Sequence, residues 1–334
     1  MTDYALIHFS EIELYQIFKT VGEYLKASVV IRTYNEEQYL EELLASVEKQ
    51  QCSFPVEVVI VDSGSTDRTL SIAKTFQNKI ELHLVHIKKE LFSFGRSLNM
   101  GCDAALGTHL IFISGHCVPQ KTDWLQKLLE PFQKITGSAL QIGSIAYVYG
   151  RQLGGPESKF SETQLFEKYF PDMSRVPQDG FFCNNANAAL PKEIWAKFPF
   201  DEELTGLEDM YLAKRLVREG YKIGYVAEAP VYHYHHETWS GVRRRYERES
   251  LALQHIMPEI HLTFVDFLRY FFSGFLHDSA SALERRTLVE KVGEIFLFRL
   301  MQYWGSYKGN NDHRKLSQKT KDLYFYPKKT SEVC

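Results

Sequence analysis

The sequence predicts an α/β fold: a mostly parallel sheet flanked by helices, with a helical extension at its C-terminal end. Two short β-branched runs carry that prediction, Ser28-Val29-Val30-Ile31-Arg32-Thr33 and Val58-Val59-Ile60-Val61-Asp62. Each runs into turn-forming polar residues, Tyr34-Asn35-Glu36-Glu37 after the first and Ser63-Gly64-Ser65-Thr66-Asp67 after the second. Between them Leu40, Leu43, Leu44 and Val47 fall at helical spacing. Such a strand–helix–strand unit collects polar side chains at the carboxyl ends of parallel strands, where open α/β sheets bind ligands.

The elements follow in order. Residues 1–26 read as a short amphipathic helix, Glu11 to Leu25, ahead of the first core strand. Strands are expected near 27–33, 56–62, 80–86 and 109–114, alternating with helices at 36–50, 66–77 and 93–106. Ser65 or Thr66 is placed to cap the second helix. A helix near 121–134 carries Trp124, Leu125, Leu128 and Leu129, and a strand near 139–149 precedes the loop Leu153-Gly154-Gly155-Pro156. Ala186–Leu190 reads as a further strand, Pro191-Lys192-Glu193 as a helix start, and Leu207–Glu219 as a helix. Lys222–His235 contains two strand-like pieces, and the rest to about Tyr307 is helical. The expected organisation is an N-terminal helix (1–26), a catalytic domain (27–239), a helical region (240–310) and a loose basic tail (311–334).

Composition narrows the function classes. Hydrophobic residues make up 44% of the 334, enough for a sizeable core and too many for a disordered chain. The net charge of −3 is uneven: from Ser240 onward 16 Lys and Arg face 11 Asp and Glu, a local +5 that leaves −8 for the rest. That balance does not suggest nucleic-acid binding, but an acidic substrate or an anionic membrane face fits the C-terminal part. Five scattered cysteines without a CxxC pair suit a reduced, cytoplasmic protein. No signal peptide is expected in Met1–Lys26, and no apolar run reaches the roughly 18–20 residues of a spanning helix.

Several segments carry groups with chemistry. Thr33, Asn35 and Glu36 follow the first strand, and Asp62 and Ser63 end the second; a carboxylate there can accept from a base or ribose, or simply fold an Asx turn. Phe94-Gly95-Arg96-Ser97 opens a helix with a fixed cation suited to phosphate. Tyr149-Gly150-Arg151-Gln152 offers a planar, bidentate ligand for phosphate or carboxylate. Asn184, Asn185 and Asn187 supply donors and acceptors beside small residues that let a ligand approach the backbone. Glu208 and Asp209 start an amphipathic helix, where adjacent side chains diverge by about 100°, so that one faces a site while the other braces. His233 and His235 alternate onto one strand face and can share a metal. Trp239 and Arg243-Arg244-Arg245 follow, either as a cover over phosphates or as a helix face paired with Glu247 and Glu249.

Taken together, these ordered motifs over residues 27–240 resemble those of family 2 glycosyltransferases, inverting enzymes of the GT-A fold with a Rossmann-like sheet. The resemblance implies transfer of a sugar from a nucleotide-sugar donor to a hydroxyl of a glycan or lipid-linked acceptor, as in bacterial capsule or lipopolysaccharide synthesis, at the inner face of the cell membrane. It implies that Asp62 contacts the nucleobase, with Thr33, Asn35 and Glu36 lining the pocket. It gives Asp209 the role of general base, supported by Glu208.

One departure is diagnostic. Where the family places an Asp-x-Asp pair for a divalent cation, this chain reads Ser114-Gly115-His116-Cys117-Val118-Pro119. Mg²⁺ and Mn²⁺ favour oxygen ligands, which leaves three options. His116 ligates a metal with His233 or His235; or it touches phosphate directly; or arginines alone neutralise the leaving group. A metal-free site would suit a CMP-activated acidic sugar, and a degenerate, non-catalytic sugar-nucleotide-binding protein is the remaining alternative. The aromatic and basic helices around Phe264–Phe275 and Ile295–Trp304 suit packing, a homodimer contact or peripheral membrane attachment.

Overall fold

A computed structural model describes residues 26–133, 141–312 and 324–325; the expected N-terminal helix and most of the tail lie outside them. Alternating β-branched runs and amphipathic helices build β1 (Ala27–Thr33), α1 (Leu40–Glu48), β2 (Val56–Asp62), α2 (Thr69–Phe76), β3 (Glu81–His86), α3 (Phe94–Ala104) and β4 (His109–Ser114). After β5 (Cys117–Pro119) and α4 (Trp124–Gln133) come β6 (Ile145–Gly154), α5 (Phe160–Tyr169), β7 (Asn187–Pro191), α6 (Lys192–Lys197), α7 (Glu208–Arg218) and β8 (Lys222–His233). Three helices end the chain: α8 (Trp239–Ile256), α9 (Phe264–Glu284) and α10 (Leu288–Asn310).

The strands form one sheet in the order β3-β2-β1-β4-β7-β6-β8-β5. The β3-β2-β1-β4 half is parallel, as right-handed crossovers require. β7 runs antiparallel to both β4 and β6, and β6 and β8 are parallel. Buried side chains cover both faces: Val29, Ile31, Leu43 and Trp124 on one, Val30, Phe112, Tyr147 and Leu212 on the other. Parallel strands buried on both faces explain the unbroken apolar runs that made β1 and β2 conspicuous.

Only Gly115 and His116 separate β4 from β5, yet β7, β6 and β8 lie between those strands in the sheet. The sheet therefore curls until its last strand closes on the carboxyl end of β4, an accumulation of ordinary strand twist. Glycine is required at 115: a Cβ there would stand 2.8 Å from Glu36 Cγ and 3.1 Å from the Arg32 carbonyl oxygen.

Several expectations need correction. The strand expected at 139–149 starts at Ile145 and continues to Gly154, and the two pieces of 222–235 are the single long strand β8. Neither Ser65 nor Thr66 caps α2; the Ser65 hydroxyl donates to Asp62, and Asp67 Oδ1 takes the Thr69 amide. β5 and α5 were not foreseen, since three residues carry no period and α5 buries an alternation of polar and aromatic groups. Tyr324–Phe325, part of the expected loose tail, is packed: Phe325 meets Phe92 and Phe94 edge-on.

The C-terminal helices pack on one another. A Cβ at Gly309 of α10 would lie 2.1 Å from the Glu247 carbonyl oxygen of α8, so glycine permits that close crossing. Between α9 and α10 the Arg299 guanidinium clasps Asp278 at 2.7 and 2.8 Å, both groups buried. The outer face of α9 is unpaired among the described residues: Val265, Phe272 and Leu276 are 71%, 55% and 63% exposed.

Candidate active site

The carboxyl ends of β1, β2 and β6, the β4–β5 turn, the start of α7 and the end of β8 meet at one rim of the sheet. At β2 the Asp62 carboxylate is fully buried and folded into its own turn. It accepts from the Gly64 and Ser65 amides at 3.0 Å, from the Ser65 hydroxyl at 2.5 Å and from Thr33 Oγ1 at 3.0 Å. Ser63 donates its amide and hydroxyl to the Thr33 carbonyl. Asn35, at φ 58°, sends its amide to Ser65 Oγ and takes the Thr66 amide on Oδ1; an asparagine tolerates that left-handed geometry. In this conformation Asp62 presents no surface to a ligand, and its direct role is to hold the loop that carries Asn35 and Ser65.

The Glu36 side chain turns the other way, to His116, with Oε1 2.9 Å from Nδ1. His116 packs with His233 and His235 from the end of β8, the ring centroids lying 5.2 Å and 5.8 Å away, and the last two 4.1 Å from each other. Each ring is anchored through Nδ1: His116 to Glu36, His233 to Gln152 Oε1 at 2.7 Å, His235 to Glu162 Oε1 at 2.8 Å. Burial pushes His233 and His235 well below the usual imidazole range, reinforced for His233 by its two neighbouring imidazoles and for His235 by the Arg245 charge. Burial also opposes charge on His116, but the Glu36 carboxylate outweighs it and raises this imidazole.

A hydrogen-bonded relay joins this cluster to the α7 carboxylates. Gln152 Nε2 donates to Asn184 Oδ1 at 3.0 Å, and the next residue, Asn185, donates its amide to Asp209 Oδ2 at 2.8 Å. Asp209 Oδ1 takes the Met210 amide. Burial, with Glu208 beside it, lifts the Asp209 carboxyl to about 7. Glu208 is braced by Arg32 at 3.4 Å, and the Phe94 ring lies between the Arg32 and Arg248 guanidinium groups, 5.0 and 4.7 Å from their centres. Leu207, at φ 56°, immediately precedes the pair. An apolar side chain in the left-handed region is uncommon, and such strain is concentrated at functional turns.

Satisfaction of polar groups separates the remaining residues foreseen from the sequence. Asn187 is spent on scaffold: it accepts from Trp124 Nε1 at 2.9 Å and donates to the Arg151 and Ala229 carbonyls. Arg96 is also spent, on Glu202 at 2.7 Å and the Leu91 carbonyl, rather than left free at the helix start. Trp239 opens α8 with Lys159 Nζ 5.4 Å from its ring. Of the arginine run, Arg243 pairs with Glu247 and Arg245 with Glu162 and Glu237. By contrast, Arg151 Nε, Arg244 Nε, Arg248 Nε and Asn185 Nδ2 are buried donors without a partner among the described residues. Buried donors are rarely left so unless something else occupies them.

Sequence reasoning missed Arg32, Glu162 and Arg248. An arginine inside an apolar strand and a second arginine one turn after Arg244 were available signals; Glu162 had none.

Residues 28–197 match the description "Glycosyl transferase family 2". An O-antigen chain rhamnosyltransferase of Salmonella typhimurium is 26% identical over 227 residues, covering 64% of this chain and 68% of its own length. Another, of Salmonella anatum, is 28% identical over 201 residues, covering 57% and 60%. A mannosyltransferase of Pyrobaculum calidifontis, solved with GDP-Man and Mn²⁺, superposes with a TM-score of 0.59 over 90% of this chain and 95% of its own, at 15% identity. That likeness establishes the GT-A type of fold.

Proposed function

The chain belongs to glycosyl transferase family 2, and on that premise we propose that it moves a sugar, with inversion, from a nucleotide-sugar donor to a hydroxyl of a glycan or lipid-linked acceptor during bacterial surface polysaccharide synthesis. The observation that carries this reading is the buried Asp209 carboxylate, lifted to about 7 and tied to the histidine cluster through Asn185, Asn184 and Gln152. A general base performs best when its pKa lies near the working pH. Asp209 takes the proton of the acceptor hydroxyl as its oxygen attacks the anomeric carbon from the face opposite the departing nucleotide. Glu208, held by Arg32, fixes the helix turn that aims Asp209.

Arg151, Arg244 and Arg248 turn their unpaired donors to the charge that develops on the leaving phosphate. A divalent cation bound at this rim would add Lewis-acid stabilisation of that phosphate. The loop of Thr33, Asn35 and Glu36 forms the wall of the nucleoside pocket. A lipid-linked acceptor would bring the chain to a membrane surface. The apolar stripe of α9, beside exposed Arg269, suits contact with an anionic headgroup layer. Among the described residues no helix is long and apolar enough to cross a membrane.

A thermal-shift panel of UDP, GDP, dTDP, CDP and CMP, each with a divalent cation or EDTA, tests the donor assignment, because a ligand of the folded state raises its apparent stability. Stabilisation by a nucleoside diphosphate, followed by sugar transfer from its sugar form, is the expected result. Stabilisation by CMP alone, indifferent to EDTA, would redirect the proposal to a CMP-activated acidic sugar. No response to any nucleotide would remove it.

A further inference from the structure

We propose that His116, His233 and His235 form a metal site for a transition-metal dication of borderline softness, Zn²⁺ or Co²⁺, in preference to Mg²⁺ or Mn²⁺, and that the site fills without the nucleotide. The proposal deepens the transferase reading, on which only the purpose of the ion depends.

One ring nitrogen from each of the three residues lies within 4.8 Å of the others. Zn–N bonds of about 2.0–2.1 Å set ligand nitrogens about 3 Å apart, so small ring shifts complete the site. The hydrogen bonds decide which nitrogen each ring offers. Glu36 and Glu162 are acceptors, so Nδ1 of His116 and of His235 carries the proton. Gln152 spends its amide nitrogen on Asn184, which turns its oxygen to His233 and fixes the same tautomer there. Nε2 is the lone pair left on all three, and among the described residues no hydrogen bond reaches it.

Three anchored imidazoles with free Nε2 atoms follow the pattern in which an outer partner orients each metal-bound histidine. The three anchors come from separate elements: the loop after β1, strand β6 and helix α5. Local folding of a single segment does not account for them. A purely structural cluster would instead set unshared lone pairs against one another. Imidazole nitrogens favour Zn²⁺ and Co²⁺ over Mg²⁺ and Mn²⁺, which hold out for oxygen. A neutral ligand set also leaves the full dipositive charge for phosphate oxygens in the open coordination positions, where an acidic pair would cancel it.

The full chain, stripped with EDTA and dialysed, is titrated with Co²⁺ by visible absorption and with Zn²⁺, Mn²⁺ and Mg²⁺ by calorimetry, all without nucleotide. One Co²⁺ per chain with a ligand-field spectrum is expected, with Mg²⁺ binding at least roughly 100-fold more weakly than Zn²⁺. His116→Ala, in a partly exposed turn, and the double variant His233→Ala/His235→Ala should abolish the spectrum. Gln152→Leu should weaken binding by roughly 10- to 100-fold, as loss of an outer partner does. Glu57→Gln, in the remote Glu57/Glu81/His83 cluster, should leave it unchanged.

Failure of the wild type to take up Co²⁺ or Zn²⁺ overturns the proposal. So does binding that survives His116→Ala, which is folded if its thermal transition matches the wild type, or Mg²⁺ affinity equal to that of Zn²⁺. Metal uptake without turnover of any nucleotide sugar would leave the site standing and fell the transferase reading; turnover in a chain that binds no metal does the reverse.

Discussion

The two neighbouring ends of the sheet handle polar groups in opposite ways. At the ends of β1 and β2, Asp62, Ser63, Thr33 and Asn35 satisfy one another, and the result is a rigid loop. At the ends of β6 and β8 and the start of α7, comparable groups keep something in hand: histidine lone pairs, arginine Nε–H groups and Asn185 Nδ2. The lesson is that residue type does not identify a binding group. Asn185 and Asn187 lie two apart on one segment. Asn187 is scaffold because Trp124 and two carbonyls use it fully, whereas Asn185 retains a buried, unpaired amide.

The comparison can be broken most forcefully at Asp209. Asp209→Asn should reduce kcat by roughly 10²- to 10⁴-fold while the chain stays folded; transfer at the wild-type rate would remove the base assignment. The pH dependence sharpens the same point. A base must be deprotonated, so wild-type kcat should rise with pH and level off above about 7. Stability runs the opposite way. The folded carboxyl sits above its unfolded value of about 3.9, so the native state holds the extra proton between about 4 and 7 and loses stability as pH rises through that window. Denaturant titrations should show Asp209→Asn gaining on the wild type across it.

Next in size is the scaffold asparagine. Asn187→Ala strands Trp124 Nε1 and two buried carbonyls and should cost about 2–4 kcal/mol in chemical unfolding. Arg248→Met is the counterpart at the unsatisfied end. Its Nε has no partner to lose, its ion pair with Glu249 is long at 3.9 Å, and methionine keeps an apolar contact with Phe94. Stability should therefore move by less than about 1 kcal/mol while the KM for the donor rises roughly tenfold or more. Equal stability losses in the two variants would erase the distinction between the regions. The smallest effect is expected on the periphery: Phe272→Glu, on the exposed face of α9, should lower co-sedimentation with anionic vesicles and leave turnover of a soluble acceptor unchanged.

Much of the fold was legible because the signals are local. Unbroken β-branched runs and Leu40/Leu43/Leu44/Val47 at helical spacing place β1, α1 and β2 within a few residues of where they fold. β5 was not legible, because a three-residue strand has no period, nor was α5, and with it went Glu162. The arginines show the same limit. Arg96 looked like a phosphate ligand from its place at a helix start, but Glu202, 106 residues away, claims it. Arg248 went unnoticed on a long charged helix, yet the packing of Phe94 against it brings it beside Glu208.

The sequence by itself determined the order of most strands and helices, the polar clusters at strand ends, the lack of an acidic pair after β4 and the carboxylates that open α7. Each is a property of neighbouring residues. Only the tertiary structure decided that His116 meets His233 and His235, since that contact needs a sheet curled far enough to bring β5 and β8 over the end of β4. It also decided which polar atoms are spent. Hydrogen-bond valence is settled by partners from distant parts of the chain, and no local pattern records them.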